Sequence, residues 1–475
     1  MSIVDFPTEL LELIFIYSHN ASNAHPIRST DAPLNLSQTC TRWKEVASGI
    51  PFLWSTISAV ANHTSSTPPV KVVVEWMHLS DAHPLTLSLA CQRQPAIADR
   101  DGSPSSPDCG VSRILELFLV NMYRWRAVSF DFTQQAPPIH YPDSLTASGA
   151  PQLECLEIYP FSWSPRLGTL SIPWIVPALS APLLRSFTSH QGKFPSAFFF
   201  QIQWGQLTHL HLETHLSELA CLFILQSAFN LVECHLLNVR REFVEAVPNF
   251  DPLLVATLPC LRVLGLASQV GFERLFRLLV TPELRALELA TRSTQMRWDH
   301  AQFMAFLRRS SCPITSLTLR DLFISRLATS ELRELLTQIS DTLTSLAITS
   351  DIPGTPVMIQ SAFLRELVYR PTGSVLCPQL ERLSLQIGTS AQDGELGRMV
   401  VSRLAGHRQA PARIARLQHI DVVCATDTHV EDVRQLHALL EDDLEGRVRV
   451  LADLQNADDE ADLVAQRNFR RRSFT

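Results

Sequence analysis

The sequence lacks several features that mark common functional classes. Only 18% of its 475 residues are charged, and its net charge of -7 does not suit a dedicated nucleic-acid binder, which carries a basic face. No apolar run approaches the length that crosses a bilayer, and the first residues show no basic segment typical of a signal peptide. We therefore expect a cytoplasmic or nuclear protein that binds neither nucleic acid nor membrane.

Signatures of common enzymes are also missing. The sequence has no phosphate-binding loop, no dinucleotide-binding glycine motif, no nucleophile elbow and no His-Glu-x-x-His zinc motif. Its ten cysteines form no Cys-x-x-Cys pair, and Cys155 and Cys234 occupy apolar positions of predicted strands, which indicates reduced, buried thiols. We expect no catalytic residue, no cofactor and no metal ion.

Two short apolar helices are predicted near the N-terminus. Pro7 suits the first turn of a helix, where a backbone N–H would have no partner. The first helix then carries apolar residues at helical spacing: Leu10, Leu11, Ile14 and Phe15. Trp43 lies on the apolar face of the second helix, and Trp54 closes the segment. Two such short helices cannot bury both stripes against each other, so a binding partner is implied.

This arrangement resembles the F-box, a motif that docks onto the Skp-type adaptor of cullin-based ubiquitin ligases. The resemblance rests on the Pro-x-Glu-Leu-Leu start, the Cys-x-x-Trp centre and the Leu-Trp end, in the expected order. It departs at residues 18–33, a polar, proline-containing insert where many F-boxes have a tight turn. The resemblance implies that residues 1–57 bind the adaptor through Pro7, Leu10, Leu11, Ile14, Phe15, Trp43 and Trp54. The alternative is that these helices merely cap the next domain.

A second pattern, Leu-x-x-Leu-x-Leu or close variants of it, organises the rest of the chain. It starts at residues 153, 184, 207, 231, 261, 284, 314, 343, 380 and 417. The mean spacing is about 29 residues, which is typical of long leucine-rich repeats. The Leu-x-Leu part alternates like a strand with one buried face, and the segments between show helical spacing. We predict an α/β fold in which stacked units form a parallel sheet inside and helices outside.

This pattern resembles a leucine-rich-repeat solenoid, although an ordinary α/β domain with parallel strands is the alternative. The predicted solenoid covers residues 151–440. Residues 58–150 are predicted to be a linker or divergent first repeats with mobile loops. Residues 441–475 segregate acidic and basic side chains and are predicted to be a partly disordered tail.

A row of side chains is predicted to line the concave face of the sheet. It consists of the residue between the last two apolar positions of each unit: Glu157, Thr188, His211, His235, Gly265, Glu288, Thr318, Ala347, Ser384 and Asp421. This polar row suits a polar protein segment, although any single member could simply be solvated. His209, His211 and Glu213 share one strand face, but without a fourth ligand we interpret them as part of a recognition surface and not as a metal site.

Two consecutive repeats concentrate polar side chains in one predicted patch. The target-binding residues that we predict are Glu157, His209, His211, Glu213, Glu233, His235 and Glu288. Because imidazoles gain charge below about pH 6.5, we expect binding by this patch to be pH-sensitive.

An F-box followed by such repeats is the arrangement of many substrate receptors, including divergent fungal-type ones. The resemblance implies a substrate-recognition subunit of a Skp–cullin–F-box ubiquitin ligase. Its partners would be the adaptor, the cullin and an unknown target protein, and the chain itself would not be an enzyme. The alternative is a non-degradative scaffold or inhibitor that recruits no cullin.

Overall fold

The computed structural model describes residues 6–20, 33–62, 65–92, 110–134, 149–159, 175–190, 201–240, 251, 253–291, 293, 298–321, 327–350, 359, 361–371, 375–387, 391–424, 429–442 and 444–450. The chain forms two compact units. The N-terminal unit comprises Met1–Asn238 and Glu242–Pro252, and the C-terminal unit comprises Val239–Arg241 and Leu253–Thr475. Most of the predicted polar insert, residues 21–32, and the predicted tail beyond residue 450 lie outside the described residues.

Four short helices begin the N-terminal unit: α1 Thr8–Asn20, α2 Leu34–Thr39, α3 Thr41–Ser48 and α4 Pro51–Trp54. Local chemistry explains where they begin. Cys40 is the N-cap of α3, and its Sγ accepts a hydrogen bond from the backbone N–H of Trp43 at 3.5 Å. Pro51 occupies the first turn of α4, where no backbone donor is needed. Arg42 donates to the carbonyl oxygen of Phe6 at 2.6 Å, which ties α3 to the residues before α1.

The expectation that the apolar stripes of these helices have no internal partner is wrong for four residues. The buried ones are Leu11, Phe15, Trp43 and Trp54. The rings of Phe15 and Trp43 meet edge to face with centroids 5.0 Å apart. The prediction considered only two helices, whereas later segments supply further apolar surface: the ring of Trp54 lies 6.3 Å from that of Trp76. The N-terminal helices therefore share a core with the helix that contains Trp76, Val70–Leu79.

Parallel strands make up most of the N-terminal unit. They are β1 Thr56–Ala61, β2 Ser66–Thr67, β3 Leu85–Cys91, β4 Trp125–Asp131, β5 Cys155–Tyr159, β6 Ser186–Ser189, β7 His209–Leu212, β8 Leu216–Ser217 and β9 Glu233–Arg240. Their order is β2, β1, β3, β4, β5, β6, β7, β9, and β8 pairs with β9. From β1 to β9 the neighbours along this order are parallel, whereas β1 and β2 are antiparallel. The helices between these strands are α5 Val70–Leu79, α6 Gly110–Val120, α7 Ile175–Leu179 and α8 Glu218–Ser227.

The C-terminal unit repeats the same alternation of strand and helix. Its strands are β10 Ala256–Thr257, β11 Val263–Ser268, β12 Leu279–Val280, β13 Ala286–Thr291, β14 Ser316–Arg320, β15 Ser345–Thr349, β16 Arg382–Ile387, β17 His419–Cys424 and β18 Glu445–Val450. Strands β11 and β13 to β18 are parallel neighbours in that order, and β10 pairs with β12. Its helices are α9 Glu273–Leu278, α10 His300–Ser310, α11 Thr329–Gln338, α12 Ser361–Leu367, α13 Glu395–Gln409 and α14 Val430–Asp442.

The central apolar residue of each repeat lies opposite the same residue of the next. In the N-terminal unit these residues are Leu156, Phe187, Leu210 and Cys234. In the C-terminal unit they are Leu264, Leu287, Leu317, Leu346, Leu383 and Ile420. All ten are buried. The predicted α/β class with parallel strands and intervening helices is thus confirmed within each unit.

Two details differ from the expectations. Cys155 is exposed, because it lies immediately before the buried Leu156 and its side chain points to the opposite face of β5. Cys234 is buried as expected, and burial raises the pKa of its thiol to about 12. Strand β18 lies inside the segment that we predicted to be a tail, since Glu445–Val450 pairs with β17.

The register of the C-terminal unit can be tested at the central leucines. Leu287→Ala or Leu317→Ala removes a buried side chain and leaves a cavity, so we expect each to lower the free energy of unfolding by about 2 to 5 kcal/mol. Thr318→Ala, on the opposite face of β14, is the matched control and should change it by only about 0.5 kcal/mol. Urea denaturation, followed by circular dichroism, measures the free energy of unfolding of the parent and of each variant. Equal midpoints for all three variants and the parent would contradict this register.

Candidate functional site

The predicted polar row exists as a row across four strands of the N-terminal unit. Glu157 pairs with Thr188, Thr188 with His211, and His211 with His235, on β5, β6, β7 and β9. Parallel neighbours lie about 4.8 Å apart, so each side chain is within reach of the next. The alternation of the Leu-x-Leu pattern therefore brings together residues that are distant in sequence.

A second row lies two residues further along the same strands. It contains Tyr159, His190 and Glu213, which follow Glu157, Thr188 and His211 at the spacing that returns to the same strand face. The backbone ladder continues here, because His190 N–H donates to the Ile158 carbonyl at 2.9 Å and Glu213 N–H to the Ser189 carbonyl at 2.8 Å. The sequence prediction missed Tyr159 and His190, although a two-residue extension of each strand would have found them.

Four side chains from these two rows form what we call the His–Glu cluster: Glu157, His190, His211 and Glu213. Nε2 of His190 lies 3.1 Å from Oε1 of Glu157, and its Nδ1 lies 3.3 Å from Oε2 of Glu213. Nε2 of His211 lies 3.2 Å from the other oxygen of Glu213. One carboxylate thus bridges two imidazoles.

Two hydroxyl groups hold Glu157 in place. Tyr159 donates to Oε1 of Glu157 at 2.8 Å, and Ser129 of β4 donates to Oε2 at 2.9 Å. The ring of Tyr159 also stacks on the imidazole of His190, with centroids 3.9 Å apart. The orientation of His190 is therefore fixed both by a carboxylate and by an aromatic face.

Burial and ion pairing oppose each other in the cluster, and ion pairing prevails. Burial by itself raises the pKa of Glu157, but hydrogen bonds from His190, Tyr159 and Ser129 bring it down to about 2. Burial likewise opposes ionisation of Glu213, yet His190 and His211 hold the pKa of its carboxyl well below the usual range. Burial lowers the pKa of His190, but its contacts with Glu157 and Glu213 raise it by more. The carboxylates are charged at neutral pH.

The imidazoles continue as a row into the next repeat. The ring centroids of His190 and His211 are 5.3 Å apart, and those of His211 and His235 are 5.2 Å apart. Nε2 of His235 lies 3.0 Å from Oε1 of Glu233, whose pKa is lowered chiefly by this hydrogen bond. His235 is buried, whereas a solvated row would leave it exposed. Imidazole rings on neighbouring strands lie close enough to cover one another. His209 is exposed, and its Nδ1 lies 2.9 Å from the hydroxyl of Thr208.

Glu288 belongs to the C-terminal unit and has a different partner. It forms an ion pair with Arg320 of the neighbouring strand β14. Of the predicted target-binding residues, the structure brings Glu157, His211 and Glu213 together with His190, and His235 next to His211 and Glu233.

Within the described ranges, two groups of side chains could hold a metal ion. In the first, His190, His211 and Glu213 each offer a donor atom within 4.8 Å of the others. The second is Asp393, His429 and Asp432 in the C-terminal unit. Its carboxylates are already engaged: Asp393 accepts backbone N–H groups at the start of α14 at 3.0 Å, and Asp432 accepts the N–H of Gly397 at 2.8 Å. In the first group, Nδ1 of His190 is buried and makes no well-aligned hydrogen bond, although it lies 3.3 Å from Oε2 of Glu213.

The predicted adaptor-binding residues divide between two faces of α1. Leu11 and Phe15 face the core, as described above, whereas Pro7 is exposed. The outer face carries an apolar stripe at positions i, i+3, i+4 and i+7: Leu10 at 48% exposure, Leu13 at 52%, Ile14 at 38% and Tyr17 at 74%. The sequence prediction missed Leu13 and Tyr17, because it assigned Leu10 and Leu11 to a single stripe. Spacing of three and four residues separates the two faces.

Comparisons with protein-family models, with curated proteins and with solved structures find no significant match to the chain. In the part of the chain that the structure describes, no helix combines the length and the apolar character needed to cross a membrane. The geometry of the α1 stripe and of the His–Glu cluster is therefore what bears on function.

The cluster makes stability depend on pH in two directions. The pKa values of Glu157 and Glu213 are lowered, so their contribution is complete above the ordinary value of 4.5 and is lost as the pH falls through the folded-state values. The pKa of His190 is raised, so its contribution is complete below 6.5 and is lost as the pH rises through its folded-state value. Stabilisation by the cluster is greatest between these two ordinary values.

We expect His190→Ala to destabilise the protein more in mildly acidic than in alkaline solution. Urea denaturation of the parent and the variant at about pH 5.5 and about pH 8.5, in a chelating buffer, measures the difference in unfolding free energy at each pH. Thr188→Ala is a control on the neighbouring strand position that removes no titratable group. Its effect on the unfolding free energy should be the same at both pH values. A destabilisation by His190→Ala that does not vary with pH would show that the ion pairs do not stabilise the fold.

Proposed function

We propose that this chain is the substrate-recognition subunit of a Skp–cullin–F-box ubiquitin ligase, with residues 1–57 as the F-box and the repeats as a leucine-rich-repeat solenoid. The observation that carries the proposal is the exposed apolar stripe of α1. Leu10, Leu13, Ile14 and Tyr17 form a continuous apolar helix face that is exposed. Such faces on a short amphipathic helix are typical of protein docking sites.

The inner face of α1 supports the same interpretation. Phe15 packs on Trp43, and Leu11 is fully buried, so α1 is fixed on its own unit through one face while the other is presented outward. A helix held rigidly in this way loses little conformational freedom when a partner binds. In this proposal Leu11, Phe15, Trp43 and Trp54 shape the docking surface from beneath, and Pro7, Leu10 and Ile14 contact the adaptor, together with Leu13 and Tyr17.

The repeats would bind the target. The His–Glu cluster, with His209, Glu233 and His235 in the neighbouring positions, offers a polar surface of acidic and imidazole groups within the N-terminal unit. Ionised Glu157, Glu213 and Glu233 suit a target segment that carries hydrogen-bond donors or positive charge. In the C-terminal unit, Glu288 with Arg320 provides a separate charged pair.

The mechanism that we propose is proximity and not catalysis by this chain. Adaptor and cullin would bring a ubiquitin-charged enzyme close to a lysine of the bound target, which raises the effective concentration of the two reacting groups. The hydroxyl of Ser129, which contacts the cluster, donates to the carboxylate of Glu157 and is not paired with an imidazole base in this contact.

One observation favours a second candidate function. Trp54 of the N-terminal helices packs near Trp76 of α5, so these helices also cover part of the domain that follows them. In a non-degradative scaffold or inhibitor, capping would be their whole role, and the chain would recruit no cullin.

Substitution of the outer stripe tests the docking role of α1. Leu10→Asp with Ile14→Asp removes two apolar contacts worth about 1.5 to 3 kcal/mol each, so we expect affinity for a Skp-type adaptor to fall on the order of a hundredfold or more. Val74→Asp, at a residue of α5 that is 46% exposed, is the matched control and should bind like the parent. Calorimetric titration of purified chain with purified adaptor gives both affinities.

The outcome separates the two candidate functions. No adaptor binding by the parent chain, or equal binding by the stripe variant, would contradict the proposed docking site. If the chain binds the adaptor but the resulting complex captures no cullin, the second candidate function, a non-degradative scaffold or inhibitor, is favoured.

A further inference from the structure

We propose that His190, His211 and Glu213 form a binding site for a divalent transition-metal ion of the Zn²⁺ class. The three side chains come from β6 and β7 or the residues that directly follow these strands, and their donor atoms lie within 4.8 Å of one another. Metal binding here does not require that the chain bind an adaptor.

One buried nitrogen of the cluster faces a carboxylate but makes no well-aligned hydrogen bond to it. His190 is buried, its Nε2 contacts Glu157, and its Nδ1 makes no well-aligned hydrogen bond. This Nδ1 faces the Glu213 carboxylate at 3.3 Å. Buried polar atoms in folded proteins are almost always hydrogen-bonded, and an ion between Nδ1 and the carboxylate would explain why these two groups face each other without a well-aligned hydrogen bond. An ion at this place would take the position of a proton on Nδ1.

The separations suit a tetrahedral ion. Zinc lies about 2.0 to 2.2 Å from nitrogen and oxygen ligands, so two ligands of a tetrahedral site are about 3.3 to 3.6 Å apart. Nδ1 of His190 is 3.3 Å from one oxygen of Glu213, and Nε2 of His211 is 3.2 Å from the other. Small movements of the imidazoles around the carboxylate would bring all three donors onto one ion.

The chemistry of the donors selects the class of metal. Two imidazoles with one carboxylate are a set that Zn²⁺ and its neighbours in the transition series bind well, whereas Mg²⁺ and Ca²⁺ prefer sites made of oxygen alone. Three protein ligands leave a fourth position for water or for a side chain of a bound partner.

The surroundings of His190 match those of metal-bound histidines. Such a histidine usually donates its second ring N–H to a carboxylate, which fixes the tautomer and the ring orientation. Nε2 of His190 faces Glu157, and Glu157 is held by hydroxyl groups of Tyr159 and Ser129. Glu157 is thus a positioning residue and not a ligand in this proposal.

The test uses the full chain without a polyhistidine tag, stripped with a chelator and then dialysed against Zn²⁺. Metal analysis should give one tightly bound ion per chain, and Co²⁺ should give the visible absorption of a tetrahedral site. We expect His190→Ala and His211→Ala each to weaken Zn²⁺ binding by a hundredfold or more, and Mg²⁺ to leave the site empty. Asp393→Asn, in the second group of potential ligands, is the matched control and should retain full binding.

Glu157→Gln separates positioning from ligation. Loss of such an outer partner typically weakens metal binding by about 10- to 100-fold, so the variant should still bind one ion with the same Co²⁺ spectrum but lower affinity. His190 is buried, so His190→Ala could unfold the chain. His211 is only partly buried, and His211→Gln provides a ligand variant that changes the side chain less than alanine does.

The melting temperature offers an independent readout. Zn²⁺ should raise it for the parent chain and for Asp393→Asn, but not for His211→Gln. Absence of Zn²⁺ binding by the parent chain would overturn the proposal. Equal Zn²⁺ affinity of the parent and of every histidine variant that folds would overturn it as well.

Discussion

The in-register pairing of parallel strands is the constraint on which the rest of this structure depends. Each repeat places its central apolar residue opposite that of the next, as in Leu287 opposite Leu317, and buries it. Because strand side chains alternate, a slip by one residue would turn every buried side chain outward, so the register is strongly specified. The same constraint aligns the residues between the buried positions into rows, which bring together groups that are distant in sequence, such as Glu157 and His190, 33 residues apart.

Equivalent positions of these rows carry different charged pairs in the two units. In the N-terminal unit, Glu157 and Glu213 share buried His190, and the ionised carboxylates hold the pKa of the imidazole above its ordinary value. In the C-terminal unit, the equivalent acidic residue Glu288 pairs with the guanidinium group of Arg320 and not with an imidazole. Of these two arrangements only the first offers imidazole nitrogens, and the metal site that we propose therefore lies in the N-terminal unit.

The first helix shows how one short segment can contribute to the core through one face and present apolar side chains on the other. Leu11 and Phe15 contribute to a core that extends through Trp43 and Trp54 toward Trp76. The opposite face, with Leu10 and Ile14, remains outside that core. Exposed apolar side chains at helical spacing are costly in water unless a partner covers them, which is why we propose this face, and not the buried tryptophans, as the contact surface.

The sequence by itself determined the strands, their buried positions and the polar row, because alternation and helical spacing are local properties of the chain. It also indicated which rows would be rich in histidine and glutamate, and the neighbours His211 and His235 follow from the repeat alone. Three features depended on tertiary structure: the face of α1 that is buried, the burial of His190 and His235, and the placement of Glu445–Val450 in the sheet. Which side chains cover a residue depends on segments that are far away in sequence. Local hydrophobic periodicity does not show which distant segments come into contact.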